Sequence, residues 1–152
     1  MVSVPVLSTI GYEASTLDAV LTRLREARVE VLVDVRAVAS SRKPGFSKTL
    51  LAGSLAQHGI GYLHLQGLGT PKAGRQAVRS GHPERMRAIY AEHMTSDRAQ
   101  AELAQAAETV RATPACLLCF ERDHTRCHRA ILAAMITGQT GQDIRHLVAE
   151  AV

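Results

Sequence analysis

The chain has 152 residues, 46% hydrophobic and 21% charged, with a net charge of +4. That size allows one domain with its own core, and no apolar run reaches the roughly 18 residues that argue for a membrane-spanning helix. Three cysteines, an odd count, argue against a disulfide framework and for a reducing cytoplasm, and Met1-Val2-Ser3-Val4-Pro5 lacks the basic and apolar regions of a signal peptide.

Val6 to Ile10 predicts a short strand that ends at Gly11. Ser15 or Thr16 can cap the helix after it, Asp18 suits its positive end, and Leu17, Val20, Leu21 and Leu24 recur at helical spacing. Val29 to Val35 is a β-branched run fit for a strand covered on both faces, with Asp34 and Arg36 at its close. Arg42-Lys43-Pro44-Gly45-Phe46 reads as a basic turn, and Ser47 as the cap of a second helix carrying Leu50, Leu51 and Leu55.

Gly61 to Leu65 predicts the third strand, followed by a Gly-rich basic loop from Gln66 to about Gly81. Loops longer than about 12 residues in compact domains are usually functional or mobile. Pro83 fits the first turn of a third helix, and an Ala-rich fourth runs to about Ala112 with Leu103, Ala107 and Val110 inward. Ala115 to Phe120 is the fourth strand, Asp123 can cap the last helix, and Ile144 to Val148 is a short fifth strand. The order β-α-β-α-β-α-α-β-α-β predicts a single α/β domain over residues 1–152. Its architecture is a three-layer sandwich around a mostly parallel sheet of about five strands.

Binding sites in open α/β sheets lie beyond the carboxyl ends of the strands. Those ends carry Tyr12 and Glu13, then Asp34 and Arg36, then His64, then Cys119 and Glu121. Between Val35 and Pro83 there is no Asp or Glu, while Arg36, Arg42, Lys43, Lys48, Lys72, Arg75 and Arg79 all fall there. A one-sign segment of this kind suggests a surface facing an anion.

Alternation along the fourth strand puts Cys119 on the side of Glu121 and leaves Cys116 to the core. Cys127 falls in the first turn of the last helix, where free N–H groups and the neighbouring Arg126 and Arg129 favour a thiolate beside His128. Glu121, Glu13, Cys119, Cys127 and His128 are therefore the candidate catalytic residues. Tyr12, Arg36, Arg42, Lys43, Lys48, Lys72 and Arg129 are the candidate ligand-binding ones. Asp34 is assigned to pairing with Arg36, and His146 to structure. Cys119, Cys127 and His128, with His124 or His64, are soft and borderline donors of the kind zinc takes. The Cys-x7-Cys-His spacing lacks the tight knuckle of structural zinc sites, so no metal and no cofactor is assigned.

Thr9-Ile10-Gly11-Tyr12-Glu13, Val33-Asp34-Val35-Arg36, Ser41 to Lys48, Tyr62 to Leu65 with Leu68-Gly69, and Leu118 to Glu121 with Cys127-His128-Arg129 together resemble the uncharacterised family called domain of unknown function 488. The resemblance spans nearly the whole chain and implies a compact α/β domain, but it assigns no activity. Leu32 to Arg36 is also similar to the Asp-x-Arg strand of rhodaneses. Glu121 and Asp123 after Cys119, however, would repel an anion from the loop where those enzymes cradle one.

These residues point to a basic cleft for a phosphate-bearing partner, either a small nucleotide-type molecule or nucleic acid. Two alternatives stay open: a thiol-dependent sulfur-transfer or redox enzyme using Cys119 and Cys127, and a non-catalytic nucleic-acid-binding module. Aromatic residues make up only 3%, which leaves few stacking platforms for single strands. Whether the site is catalytic and how the chain assembles are both left open.

Overall fold

The computed structural model describes residues 5–151, so the N-terminal reading of Met1 to Val4 lies outside them. Five strands, β1 (Leu7–Gly11), β2 (Val31–Asp34), β3 (Gly61–His64), β4 (Ala115–Cys119) and β5 (Ile144–Leu147), form an all-parallel sheet ordered β3-β2-β4-β1-β5. The described helices are α1 (Leu17–Glu26), α2 (Lys48–Ala56), α3 (Lys72–Arg79), α4 (Pro83–His93), α5 (Asp97–Ala112) and α6 (His128–Thr140).

The two-residue alternation of the strands divides the apolar side chains between two cores. Ile10, Leu32, Cys116 and Leu118 pack with Val20, Leu21 and Leu24 of α1 and with Leu51 and Leu55 of α2. Leu7, Val33 and Leu117 pack with Val78 of α3, Tyr90 of α4, Leu103 of α5 and Ile136 of α6. The sheet is thus the middle layer of a three-layer sandwich, as predicted.

Three local expectations change. The segment from Gln66 to Gly81 is no open loop: a 3-10 turn over Gln66–Leu68 leads into α3, which buries Gly74, Ala77 and Val78. Gly74 is there for close packing, because a Cβ on it would come 2.3 Å from Thr70 Cγ2. Ser47 stands at the N-cap of α2 but makes no capping bond. Its hydroxyl instead accepts from Ser41 N (3.0 Å) and donates to Ser41 O (3.1 Å), closing the basic turn. Asp123 caps a 3-10 turn over His124–Arg126, and α6 begins only at His128, with Cys127 as its N-cap residue.

β1 and β2 hand their chains to α1 and α2 on one face, whereas β4 hands its chain to α6 on the other. Because β4 lies between β1 and β2, the loops leaving these three neighbours diverge over opposite faces. A crevice opens beyond the end of β4, as expected where the direction of winding switches. Backbone bonds carry the pairing past the strand ends: Tyr12 N donates to Cys119 O (3.3 Å), Glu13 N to Phe120 O (2.8 Å) and Val35 N to Leu118 O (3.1 Å). Among the described residues, no helix is long and apolar enough to cross a membrane.

Candidate functional site

The crevice holds a cleft of about 590 Å³, entered between the loops after β1, β2 and β4 and the helix α3. Tyr12, Glu13 and Arg36 line one part of it, Arg75 and Arg79 of α3 another, and Cys119, Phe120, Glu121, Arg126 and His128 the rest. Among the described residues, none of Arg75, Arg79 and Arg126 has a carboxylate within 4.0 Å. Two carboxylates in the cleft are occupied by the loop itself. Glu13 accepts from Arg122 N at 3.0 Å, and Asp123 Oδ1 accepts from Thr125 N and Oγ1. Val38 and Phe120 expose apolar surface on its wall, 52% and 44% accessible.

Two sulfurs, an imidazole and a carboxylate meet at the inner end. His128 Nε2–H donates to the Val35 carbonyl at 2.8 Å, which turns Nδ1 toward Cys119 Sγ (3.7 Å) and Cys127 Sγ (3.9 Å). Cys119 Sγ lies 3.6 Å from Glu121 Oε2, on the same side as the strand alternation requires. Burial opposes charge on Cys127, but hydrogen bonds from Cys119 and His128 and the positive charges of His128 and Arg129 hold its pKa well below the usual thiol value. The bond to Cys127, then burial, pushes Cys119 well above that value. Burial works to lower His128, yet its hydrogen bond with Cys127 and that group's charge raise it. Burial, followed by the negative Cys127, raises Glu121 to about 7. The cleft wall includes Cys119, His128 and Glu121 but not Cys127, so the reachable sulfur is the protonated one.

A family model described as Domain of unknown function DUF488 matches residues 16–136, most of the chain. The chain belongs to this family. Comparisons with curated proteins and with solved structures gave no significant match. The DUF488 match runs from the cap of α1 to Ile136 within α6, and so includes most of the cleft-lining residues, with Tyr12 and Glu13 just before it. The family description names no activity, so the roles of these residues rest on their surroundings.

Several candidates from the sequence sit elsewhere or are already engaged in this DUF488 chain. Arg129 does not line the cleft: it is fully buried, donating to the Glu121 carbonyl, to Arg122 O (3.2 Å) and to Thr9 Oγ1 (3.2 Å). The sequence suggests an anion seat at this helix start, but the turn's own carbonyls take the guanidinium of Arg129. Arg36 lines the cleft with four of its five N–H groups already used, in a two-pronged pair with Asp34 (2.8 and 2.7 Å) and in bonds to Tyr12 Oη and Phe46 O. Asp34 thus has the pairing role predicted for it, and it also accepts from Tyr62 Oη at 2.5 Å. Tyr12 is buried, with its ring stacked 4.4 Å from Phe46.

Lys43 lines a second hollow beside Ala14 to Asp18, and Arg42, Lys48 and Lys72 line neither. Besides the Asp34-paired Arg36, the arginines of the cleft are Arg75, Arg79 and Arg126. Their sequence signal was the acid-free segment for the first two and the helix start for Arg126, but nothing local selects them over the lysines. His64 donates to Arg36 O at 2.9 Å, and the His124 ring stacks on His146 at 3.7 Å, so neither stands with the sulfurs. Cys116 is fully buried on the opposite face, its pKa raised by burial.

Proposed function

We propose that the protein is an enzyme acting on a small phosphate-bearing molecule of nucleotide type, bound in the cleft beyond β4. The carrying observation is that one cleft combines Arg75, Arg79 and Arg126, without carboxylate partners among the described residues, with a half-buried Glu121 whose pKa is raised to about 7. Guanidinium groups take phosphate oxygens through charge-assisted bonds, and a carboxyl poised near the ambient pH can give or accept a proton. Exposed Phe120 and Val38 offer a wall for a ring.

The same geometry speaks against a thiolate nucleophile, since the ionised sulfur of Cys127 is walled off and the accessible Cys119 keeps its proton. It also favours a small molecule over a strand of nucleic acid. Tyr12 lines the cleft but is buried against Phe46, leaving Phe120 as the exposed aromatic side chain on the cleft wall.

Titration calorimetry with inorganic phosphate, pyrophosphate and the four mononucleotides tests the reading. Arg79→Ala with Arg126→Ala should weaken mononucleotide binding at least tenfold, about 1.5 kcal/mol or more for lost charge-assisted bonds, while Lys43→Ala changes nothing. No binding across that panel, or binding indifferent to the double change, overturns the reading. Tighter and steeply salt-dependent binding of a single-stranded oligonucleotide would move it to nucleic acid.

A further inference from the structure

We propose that Cys119, Cys127 and His128 form a zinc site with one coordination position open to the cleft. Their three ligand atoms all lie within 4.8 Å of one another. Zinc binds thiolate sulfur at about 2.3 Å and imidazole nitrogen at about 2.0–2.1 Å, so tetrahedral angles put sulfur and nitrogen about 3.6 Å apart. The two separations here are 3.7 and 3.9 Å, so an ion fits between the three atoms with little movement.

The imidazole is already oriented for the task. Its Nε2–H is committed to the Val35 carbonyl at 2.8 Å, so Nδ1 is the nitrogen directed at the sulfurs, and it gives up its proton when a metal ion binds. An outer hydrogen bond of this kind fixes the tautomer and direction of zinc-ligating histidines. Two thiolates neutralise a divalent ion, and a sulfur-rich donor set selects zinc over magnesium or calcium.

Three protein ligands mark catalytic zinc, whereas structural zinc has four. The fourth position points to solvent rather than core, because Cys119, His128 and Glu121 line the cleft. Glu121 Oε2 lies 3.6 Å from Cys119 Sγ, which sets a carboxylate beside that position. The ligand class is therefore a borderline-soft divalent cation that carries a water next to Glu121.

The test uses the full chain, reduced, stripped with chelator and titrated with Co2+ and then Zn2+. One equivalent of cobalt should give the visible bands of a tetrahedral site with sulfur-to-cobalt charge transfer, and zinc should bleach them stoichiometrically. Cys127→Ser should lose most of the charge-transfer band. Cys116→Ala should keep it, as should Arg79→Ala with Arg126→Ala, so failure of the phosphate reading leaves this one standing. X-ray absorption of the wild-type zinc form should show two sulfurs at about 2.3 Å and a nitrogen at about 2.0 Å, which decides the matter even if a cysteine variant does not fold. No stoichiometric uptake by the folded wild type, a coordination shell without sulfur, or a cobalt spectrum unchanged by Cys127→Ser overturns the proposal.

Discussion

Arg129 is the largest fully buried side chain and the pin of the site-bearing turn. Its guanidinium holds the carbonyls of Glu121 and Arg122 and the hydroxyl of Thr9, tying α6 and β1 to the loop that carries the candidate carboxylate. Arg129→Met keeps the bulk but strands these three neutral acceptors, each losing a hydrogen bond from a charged donor worth about 1–3 kcal/mol, so a loss of roughly 3 kcal/mol or more is expected. Chemical denaturation would read it as a lower midpoint at unchanged slope. Gly11 is the counterpart on β1. A Cβ there would lie 1.8 Å from the Glu121 carbonyl oxygen, so backbone rather than a flexible side chain would have to move. Gly11→Ala should cost at least about 3 kcal/mol by overpacking, and recovery of wild-type stability in that variant would refute the close approach. At this scale, sequence was a partial guide. Alternation placed Cys119 with Glu121, and proximity paired Asp34 with Arg36. The burial of Arg129 depends on carbonyls seven and eight residues away and on a threonine 120 residues away, and no local pattern announces those.

Among the elements, α3 departs most from expectation and contributes most to the cleft. Its glycine and the proline before it resemble loop punctuation, yet Pro71 stands at the N-cap of the helix and Gly74 lets the helix close on Thr70. The helix then turns Ala77 and Val78 inward and carries Arg75 and Arg79 to the cleft. Gly74→Ala gains about 1 kcal/mol of helix propensity against a contact of 2.3 Å with a single methyl group. Alone, that change should destabilise by about 1 kcal/mol, near the low end of overpacking costs. Paired with Thr70→Ser, which removes the methyl, it should be neutral or stabilising, and a double-mutant cycle on thermal midpoints checks the sign. The last helix shows the converse. Asp123 is a sound capping residue, but it caps the short 3-10 turn, and that extra turn brings Cys127 back beside Cys119.

For the molecule as a whole, β5 joins the sheet beside β1 and brings His146 to Thr9 and His124. Thr9 Oγ1 accepts from Arg129 Nε and shares a hydrogen bond of 2.6 Å with His146 Nδ1. Burial, then the positive charges of His124 and Arg129, lowers the His146 pKa to about 4, with Cys127 acting in the opposite sense. An unfolded histidine titrates near 6.5, so between about pH 6.5 and 4 the unfolded chain binds the extra proton. This contribution to stability is complete above that window and is lost as the pH falls through it. Thermal midpoints from about pH 7 to pH 4.5 should therefore fall more steeply for the wild type than for His146→Gln. Parallel slopes would dissociate His146 from the acid response.

Short-range periodicity was enough to determine the α/β order, the parallel sheet with helices on both faces, and the edge where reactive residues gather, because those patterns are written within each element. Only the tertiary structure decided that β4 lies between β1 and β2, that Arg75, Arg79 and Arg126 rather than Lys43, Lys48 or Lys72 face the cleft, and that both sulfurs reach one imidazole nitrogen. Those outcomes depend on which distant side chains occupy the same space, and strand order and helix docking set that.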